Sequence, residues 1–275
     1  MLSTLIDRGS GDALPLTEPL SRLYGGALRL AKRAVFANFV STIDGVVSFG
    51  TAGEDRARDV SGGDANDRFV LALLRAAADA VIVGAGTLRK EPDSVWTAES
   101  VFPDAAADFT ALRRTLGMRA RPLTVLVSAT GDVDLSLPAF HDGGPVMIAT
   151  TADGARQLAH GSKDVTVRAL ADAGPLRMRD VVKVSIDACG GGRILTEGGA
   201  NILGRFLDER VLDELFLTVA PRLAGRSREA RRVALVEGAA FAAAAAPRAA
   251  LTGLKTGGDY LFMRYELRSG EDARA

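Results

Sequence analysis

The chain has 275 residues with 34 basic and 34 acidic side chains, enough for one large α/β domain or two small ones, and no net field draws it to nucleic acid or an anionic membrane. A single cysteine, Cys189, and two histidines, His141 and His160, exclude an intrachain disulfide, a thiolate metal cluster and a multi-histidine metal site. No run approaches the ~18 apolar residues of a membrane span, and the N-terminus lacks a basic-then-apolar leader pattern, so the expectation is a cytoplasmic protein handling small molecules.

Residues 1–33 read as a weakly patterned lead-in with one short helix over 18–24. Residues 35–41, rich in β-branched and aromatic side chains, predict a strand that breaks at Thr42-Ile43-Asp44-Gly45 and resumes in extended form over 46–49. A glycine-rich, charged stretch over 50–64 reads as a mobile loop. The segment Ser61-Gly62-Gly63-Asp64 can then cap a helix running to Ala78. Residues 80–83 form a continuous apolar run, as in a strand buried on both faces, and they end in Gly84-Ala85-Gly86-Thr87. That turn lacks the third glycine of the dinucleotide fingerprint. A helix near 105–116 follows, with strands at 123–128 and 145–150. A short helix to Leu158, a strand at 165–167 and a helix at 178–188 closed by Gly190-Gly191-Gly192 come next.

The segment Arg193-Ile194-Leu195-Thr196-Glu197-Gly198-Gly199 is an apolar strand ending in an acid and two glycines. A helix then begins with Ile202, Leu203, Phe206 and Leu207 on one face. Strand, glycine turn and helix aim unpaired amides at an anion, and two residues without Cβ atoms let a phosphate approach. A plain tight connection satisfies the same pattern equally well. A strand over 214–220 and two final strands, 248–255 and 260–267, flanking Gly257-Gly258 complete the pattern. Strands and helices alternate before this hairpin, which predicts a single α/β domain: a mixed, mostly parallel sheet, helices on both faces, and a C-terminal antiparallel hairpin. The bounds are 34–268, with a tail at 269–275.

Four motifs occur in register: Ser41-Thr42-Ile43-Asp44-Gly45; Leu74-Arg75-Ala76 leading to Gly84-Ala85-Gly86-Thr87; Leu195-Thr196-Glu197-Gly198-Gly199; and Val211-Leu212-Asp213-Glu214-Leu215 with Ala220-Pro221. Over residues 35–267 the chain resembles the reductase domain of bacterial riboflavin-biosynthesis pyrimidine reductases, which has a dihydrofolate-reductase-like fold. The resemblance implies NADPH as hydride donor, reduction of a phosphoribosylamino-pyrimidine's ribosyl group to ribityl, and a homodimer. It implies that Ser41 and Asp44 lie where cofactor and substrate meet. Gly84, Gly86 and Thr87 would line the cofactor, with Gly198, Gly199, Ala200, Asn201 and Ile202 around its pyrophosphate. Arg75 would bind the substrate phosphate, and Glu197 would face the pyrimidine. Read for its own chemistry, Arg75 is a fork of donors suited to phosphate, although most helix arginines are solvated. Asp44 or Glu91 would relay a proton if burial raised its pKa. Ser128 and Thr130, after a strand, are placed to meet a 2′-phosphate.

The chain departs from the family pattern in three places. Asn38 stands at the substrate position where many members have lysine. The acidic pair and proline shrink to Glu91-Pro92, and no Leu-Thr-x-Arg follows. There is no His-x-Glu with Pro-Cys-x-x-Cys, so deamination would fall to a separate protein. These departures leave a pterin as an alternative substrate, and a catalytically impaired NADPH-binding protein as an alternative function. A flavin-binding module is a third. Trp96 is expected to pack, His141 and His160 to lie at the surface, and Cys189 to be inert.

Overall fold

The computed structural model describes residues 1–51, 56–158 and 165–268. Its ten main strands are β1 (Ser3–Asp7), β2 (Arg33–Thr42), β3 (Ala80–Gly84), β4 (Leu123–Val127), β5 (Val146–Thr151), β6 (Val165–Ala171), β7 (Gly192–Thr196), β8 (Glu214–Ala220), β9 (Ala249–Gly257) and β10 (Tyr260–Leu267). They form one sheet in the order β1-β9-β10-β8-β2-β7-β3-β4-β5-β6. From β8 to β6 every pairing is parallel, and the antiparallel strands β10, β9 and β1 close the other edge. The expected mixed, mostly parallel sheet with a terminal hairpin is what forms. The hairpin turn falls one residue later than its glycine pair, because Gly257 pairs with Tyr260 and Gly258, at φ +58°, begins the bend.

Nine α-helices lie among the described residues: α1 (Glu18–Tyr24), α2 (Ala57–Ser61), α3 (Ala65–Ala77), α4 (Ala85–Lys90), α5 (Ala98–Val101), α6 (Ala106–Thr115), α7 (Ala152–Leu158), α8 (Met178–Cys189) and α9 (Ala200–Asp208). None is long and apolar enough to cross a membrane. Two cores result. Phe36, Val81, Leu126 and Ile148 pack on one sheet face against α3 and α6, while Ala37, Ile82, Val125 and Ile194 pack on the other against α8 and α9, where Leu203 and Phe206 meet them. Successive side chains along each strand alternate between these cores. That double burial explains the unbroken apolar run at 80–83 and the run at 123–127, which only the buried Thr124 interrupts.

Three features differ from the sequence expectation. The lead-in supplies β1, an edge strand whose Leu5 stays exposed and whose register carries a bulge, so its alternation is weak. Part of the stretch expected to be loop is α2, ended by Gly62 in the left-handed region at φ +64°. Gly84 is the N-cap of α4, so what reads as a glycine turn is itself a helix start. His160 and the 269–275 tail lie outside the described residues.

Helix α3 is held at both ends. Asp64 caps its first turn by accepting from the Asp67 amide. Arg113 of α6 closes its other end, donating from Nη1 to the carbonyls of Arg75, Ala76 and Ala78 at 3.3, 3.0 and 2.7 Å. Burial lowers the Arg113 pKa to about 10, against the pull of Asp79 and Glu99. Replacing Arg113 with Met takes this donor from all three carbonyls, and only that of Arg75 keeps a partner among the described residues, the Ala78 amide. The expected loss is about 1.5–3 kcal/mol in urea unfolding, the range for hydrogen bonds to a charged group, with early hydrogen exchange in the last turn of α3.

Candidate active site

The C-terminal ends of parallel strands are where an open α/β sheet leaves backbone groups and helix N-termini facing a crevice. Here the ends of β2, β7, β3 and β4 share one cleft of about 570 Å³, within the usual range for a small-molecule pocket. Four adjacent strands at ~4.8 Å spacing make it about 14 Å from first to last. Asn38 and Val40 stand over β2, Glu197 over β7, Gly84 over β3, and Val127 to Thr130 over β4. A short antiparallel pairing of residues 46–48 with 233–234 brings Val47, Ser48 and Val233 to the rim.

At the β2–β7 end a buried ion pair dominates. Arg75 Nε donates to Glu197 Oε1 at 2.8 Å and Nη2 to Oε2 at 2.6 Å, a two-bond fork with side chains 5% and 9% exposed. Nη1 donates to the carbonyls of Val95 and Thr97, both at 3.2 Å, which pins the loop carrying the buried Trp96. Arg75 is therefore not a solvated helix arginine. Four of its five N–H donors are spent inside the protein, which conflicts with a principal role in binding phosphate. Glu197 lines the cleft, and each carboxylate oxygen keeps a lone pair for a ligand N–H. Asn38 also lines it, and its buried Oδ1 has no partner among the described residues. That orphan acceptor suits a ring N–H.

In the middle, the two glycine motifs divide into different jobs. A Cβ on Gly198 would lie 2.7 Å from Ile202 Cγ2, and one on Gly84 would lie 2.7 Å from Ile202 Cδ1. Both glycines make room for the Ile202 side chain, and Gly198 does not line the cleft. A Cβ on Gly199 would meet only Thr87 Oγ1, at 3.5 Å, and one on Gly86 would meet nothing within 4 Å. Those two glycines leave the cleft open. Gly199 caps α9, whose first amides, of Ala200 and Asn201, have no intrahelical acceptor, and α4 starts at Ala85 beside it. Two helix N-termini thus face one space, which fits a diphosphate.

The remaining expected positions divide between the cleft and its surroundings. Thr87, Ser128, Ala200, Asn201, Ile202 and Glu91 line the cleft, whereas Ser41 and Asp44 do not. Ser41 is buried. Asp44 is exposed and accepts from the Thr42 hydroxyl (2.5 Å) and from the amides of Ala224 and Gly225 (3.0 and 2.8 Å), which hold its pKa at about 2. It is a turn-fixing carboxylate, and the proposed relay at Asp44 is corrected: the burial that relay requires is absent. Glu91 accepts from the Ser94 hydroxyl and the Ala57 amide. His141 is exposed, and burial raises the Cys189 pKa, in keeping with an inert thiol.

Asp67 is the functional candidate that sequence reasoning missed. It stands on α3 at i, with Leu71 and Arg75 at i+4 and i+8, all three on the cleft side. Only 8% of it is exposed. Desolvation raises its pKa to about 6, with the Thr218 and Ser61 hydroxyls opposing and Asp64 assisting. The signal available was its eight-residue spacing from Arg75 on a predicted helix.

Strand order and cleft position together define an α/β oxidoreductase domain of the dihydrofolate-reductase-like class. Within that class the chain belongs to the RibD C-terminal domain family of riboflavin-pathway pyrimidine reductases, whose model matches residues 33–259. Its fold is similar to that of a pyrimidine reductase-like protein from Corynebacterium diphtheriae, with a TM-score of 0.65 and 22% identity, over 92% of this chain and all of that one. Acinetobacter baumannii RibD is similar at a TM-score of 0.66 and 20% identity, over 86% of this chain and 59% of that longer one. The riboflavin biosynthesis reductase Rib7 of Saccharomyces cerevisiae aligns at a TM-score of 0.58 and 12% identity, over 89% of this chain and 94% of that one. No curated protein matches.

Two pairs of outcomes are expected. Arg75→Met strands a buried carboxylate and should cost about 3–5 kcal/mol in urea unfolding, while Arg75→Met with Glu197→Leu should recover most of it. Gly198→Ala should lower thermal stability by displacing Ile202. Gly199→Asp should leave stability nearly unchanged but weaken binding of a nicotinamide cofactor at least tenfold by calorimetry.

Proposed function

We propose that the chain is a cytoplasmic NADPH-dependent reductase that converts the ribosyl group of a phosphoribosylamino-pyrimidine to ribityl. When bound, NADPH would supply a hydride from its nicotinamide ring. The residues that fit it are Gly86, Thr87 and Gly199 to Ile202 around the diphosphate, with Ser128 and Thr130 further along. Glu197, held rigid by Arg75, and the unpaired Asn38 Oδ1 would accept hydrogen bonds from the pyrimidine and fix its orientation, which is most of what hydride transfer asks of a protein.

Conversion of ribosyl to ribityl adds one hydrogen at C1 and one at the oxygen released as the sugar ring opens, and the second arrives as a proton. Asp67 is the group that supports this step best, because its carboxyl, raised to about 6, stays partly protonated near neutrality and lines the cleft. This observation carries the reading. Two copies would pair as a homodimer, for which the half-exposed apolar row Leu217, Val219, Met263 and Tyr265 on β8 and β10 offers a face.

A second reading rests on Arg75. With its donors committed to Glu197, Val95 and Thr97, it offers a substrate phosphate little, so a flat ring without phosphate, a dihydropterin, also suits the cleft. Loss of NADPH absorbance with each substrate in turn separates the two readings.

An acid with a pKa near 6 gives a rate that is full at low pH and falls as pH rises through about 6. Asp67→Asn is expected to lower kcat about 100-fold or more, to remove that limb of the profile, and to leave NADPH affinity within about twofold. Folding shows the same sign. The folded pKa lies above the usual 3.8, so Asp67 favours the folded state at low pH, and that contribution is lost as pH rises through about 6. Asp67→Asn should flatten this part of the stability curve. An unchanged pH profile in the variant would remove Asp67 from the mechanism.

A further inference from the structure

The cleft is asymmetric in charge along its length. Its β2–β7 end holds Asp67 and the closed Arg75–Glu197 pair, so a cofactor ring placed there sends the rest of the dinucleotide past the α9 N-terminus toward the end of β4. The walls at that far end are Val127, Ser128, Ala129 and Thr130, together with Leu176, Asn201 and Arg205. The loop after β4 brings Asp132 and Asp134 but no Lys, Arg or His between residues 122 and 140. On the wall just named the positive charge comes from α9, while Arg89 and Lys90 at the end of α4 are the cleft's other cationic residues besides Arg75. Asn201 and Arg205 are four residues apart, hence stacked on the same helix face, and both line the cleft. Arg205 is half-buried, and Nη2 donates to the Leu176 carbonyl. No carboxylate pairs with it among the described residues, in contrast to Arg75. The Leu176 bond holds the guanidinium at the cleft wall and leaves its other N–H donors for a ligand.

We propose that Arg205 is the specificity-determining residue for the cofactor, binding the 2′-phosphate on the adenosine side and so selecting NADPH over NADH. The inference rests on the reading of the chain as a dinucleotide enzyme and adds to it the source of discrimination. A guanidinium held at one point and free at the others forms charge-assisted hydrogen bonds to a phosphate. The Ser128 and Thr130 side chains lie on the same wall to complete the site. NADH carries a hydroxyl there, gains nothing from the charge, and keeps every contact at the diphosphate.

The test is a set of dissociation constants for NADPH and NADH, measured by calorimetry on the full chain and on Arg205→Gln, Arg205→Lys and Arg205→Glu. Arg205→Gln retains an N–H donor for the Leu176 carbonyl while removing the charge, so a purely structural role would be spared. The wild type is expected to bind NADPH at least tenfold more tightly than NADH. Arg205→Gln should weaken NADPH by about ten- to a hundredfold with NADH within twofold, Arg205→Lys should retain part of the preference, and Arg205→Glu should reverse it. Equal losses for the two cofactors, or an unchanged NADPH:NADH ratio in Arg205→Gln, would overturn the proposal while leaving a dinucleotide enzyme intact. Failure of the wild type to bind either cofactor would instead overturn the reading beneath it.

Discussion

The organisation of the cleft depends on one buried ion pair. Arg75 comes from the last turn of α3 and Glu197 follows the end of β7, 122 residues later, and their two-bond fork ties the helix layer to the centre of the sheet. Taking both charges out of water is costly, and the pair is sustained because nearly every polar atom in it is satisfied, including the bonds from Nη1 to the Val95 and Thr97 carbonyls. The consequence reaches beyond stability. Arg113 fixes the end of α3, Arg75 fixes the carboxylate, and the carboxylate presents oxygens to the cleft in a set direction. A group that must orient a flat ring for hydride transfer benefits from that rigidity more than from its charge.

The same economy of parts appears at the centre of the cleft. Ile202 sits one turn into α9, and its side chain occupies the space that Cβ atoms on Gly84 and Gly198 would take. Ile202 thus fills the space beside the ends of both β3 and β7, adding to the Leu203 and Phe206 packing, and the N-termini of α4 and α9 meet beside one another. Only Gly199 and Gly86 remain for an incoming ligand. The two motifs are therefore half packing devices and half open cleft wall, which is why pattern alone left phosphate binding and a tight turn equally matched.

Elements that bury both faces were legible in the amino-acid order. The apolar runs of β3, β4 and β5, the capped α3 and the amphipathic α9 all follow from local pattern, and four short motifs in register indicated the family. Features set by distant partners were not legible. Strand β1 is specified by pairing with β9, some 250 residues away, rather than by its own alternation. Asp44 reads as a candidate acid until three hydrogen bonds at the surface are seen to hold it ionised. Asp67 reads as an ordinary helix carboxylate until the β8 side of the cleft is seen to remove its water. Burial and pairing decide the chemistry of ionisable groups, and both are tertiary properties.

Each assignment of site residues assumes that a dinucleotide lies across the four strand ends with its diphosphate on the α9 amides. A crystal structure with NADPH bound measures this directly. The account predicts diphosphate oxygens within hydrogen-bonding distance of the Ala200 and Asn201 amides, and the nicotinamide on the side of Asp67 and Glu197. A diphosphate bound away from α9, or a nicotinamide lodged beside Ser128, would contradict it.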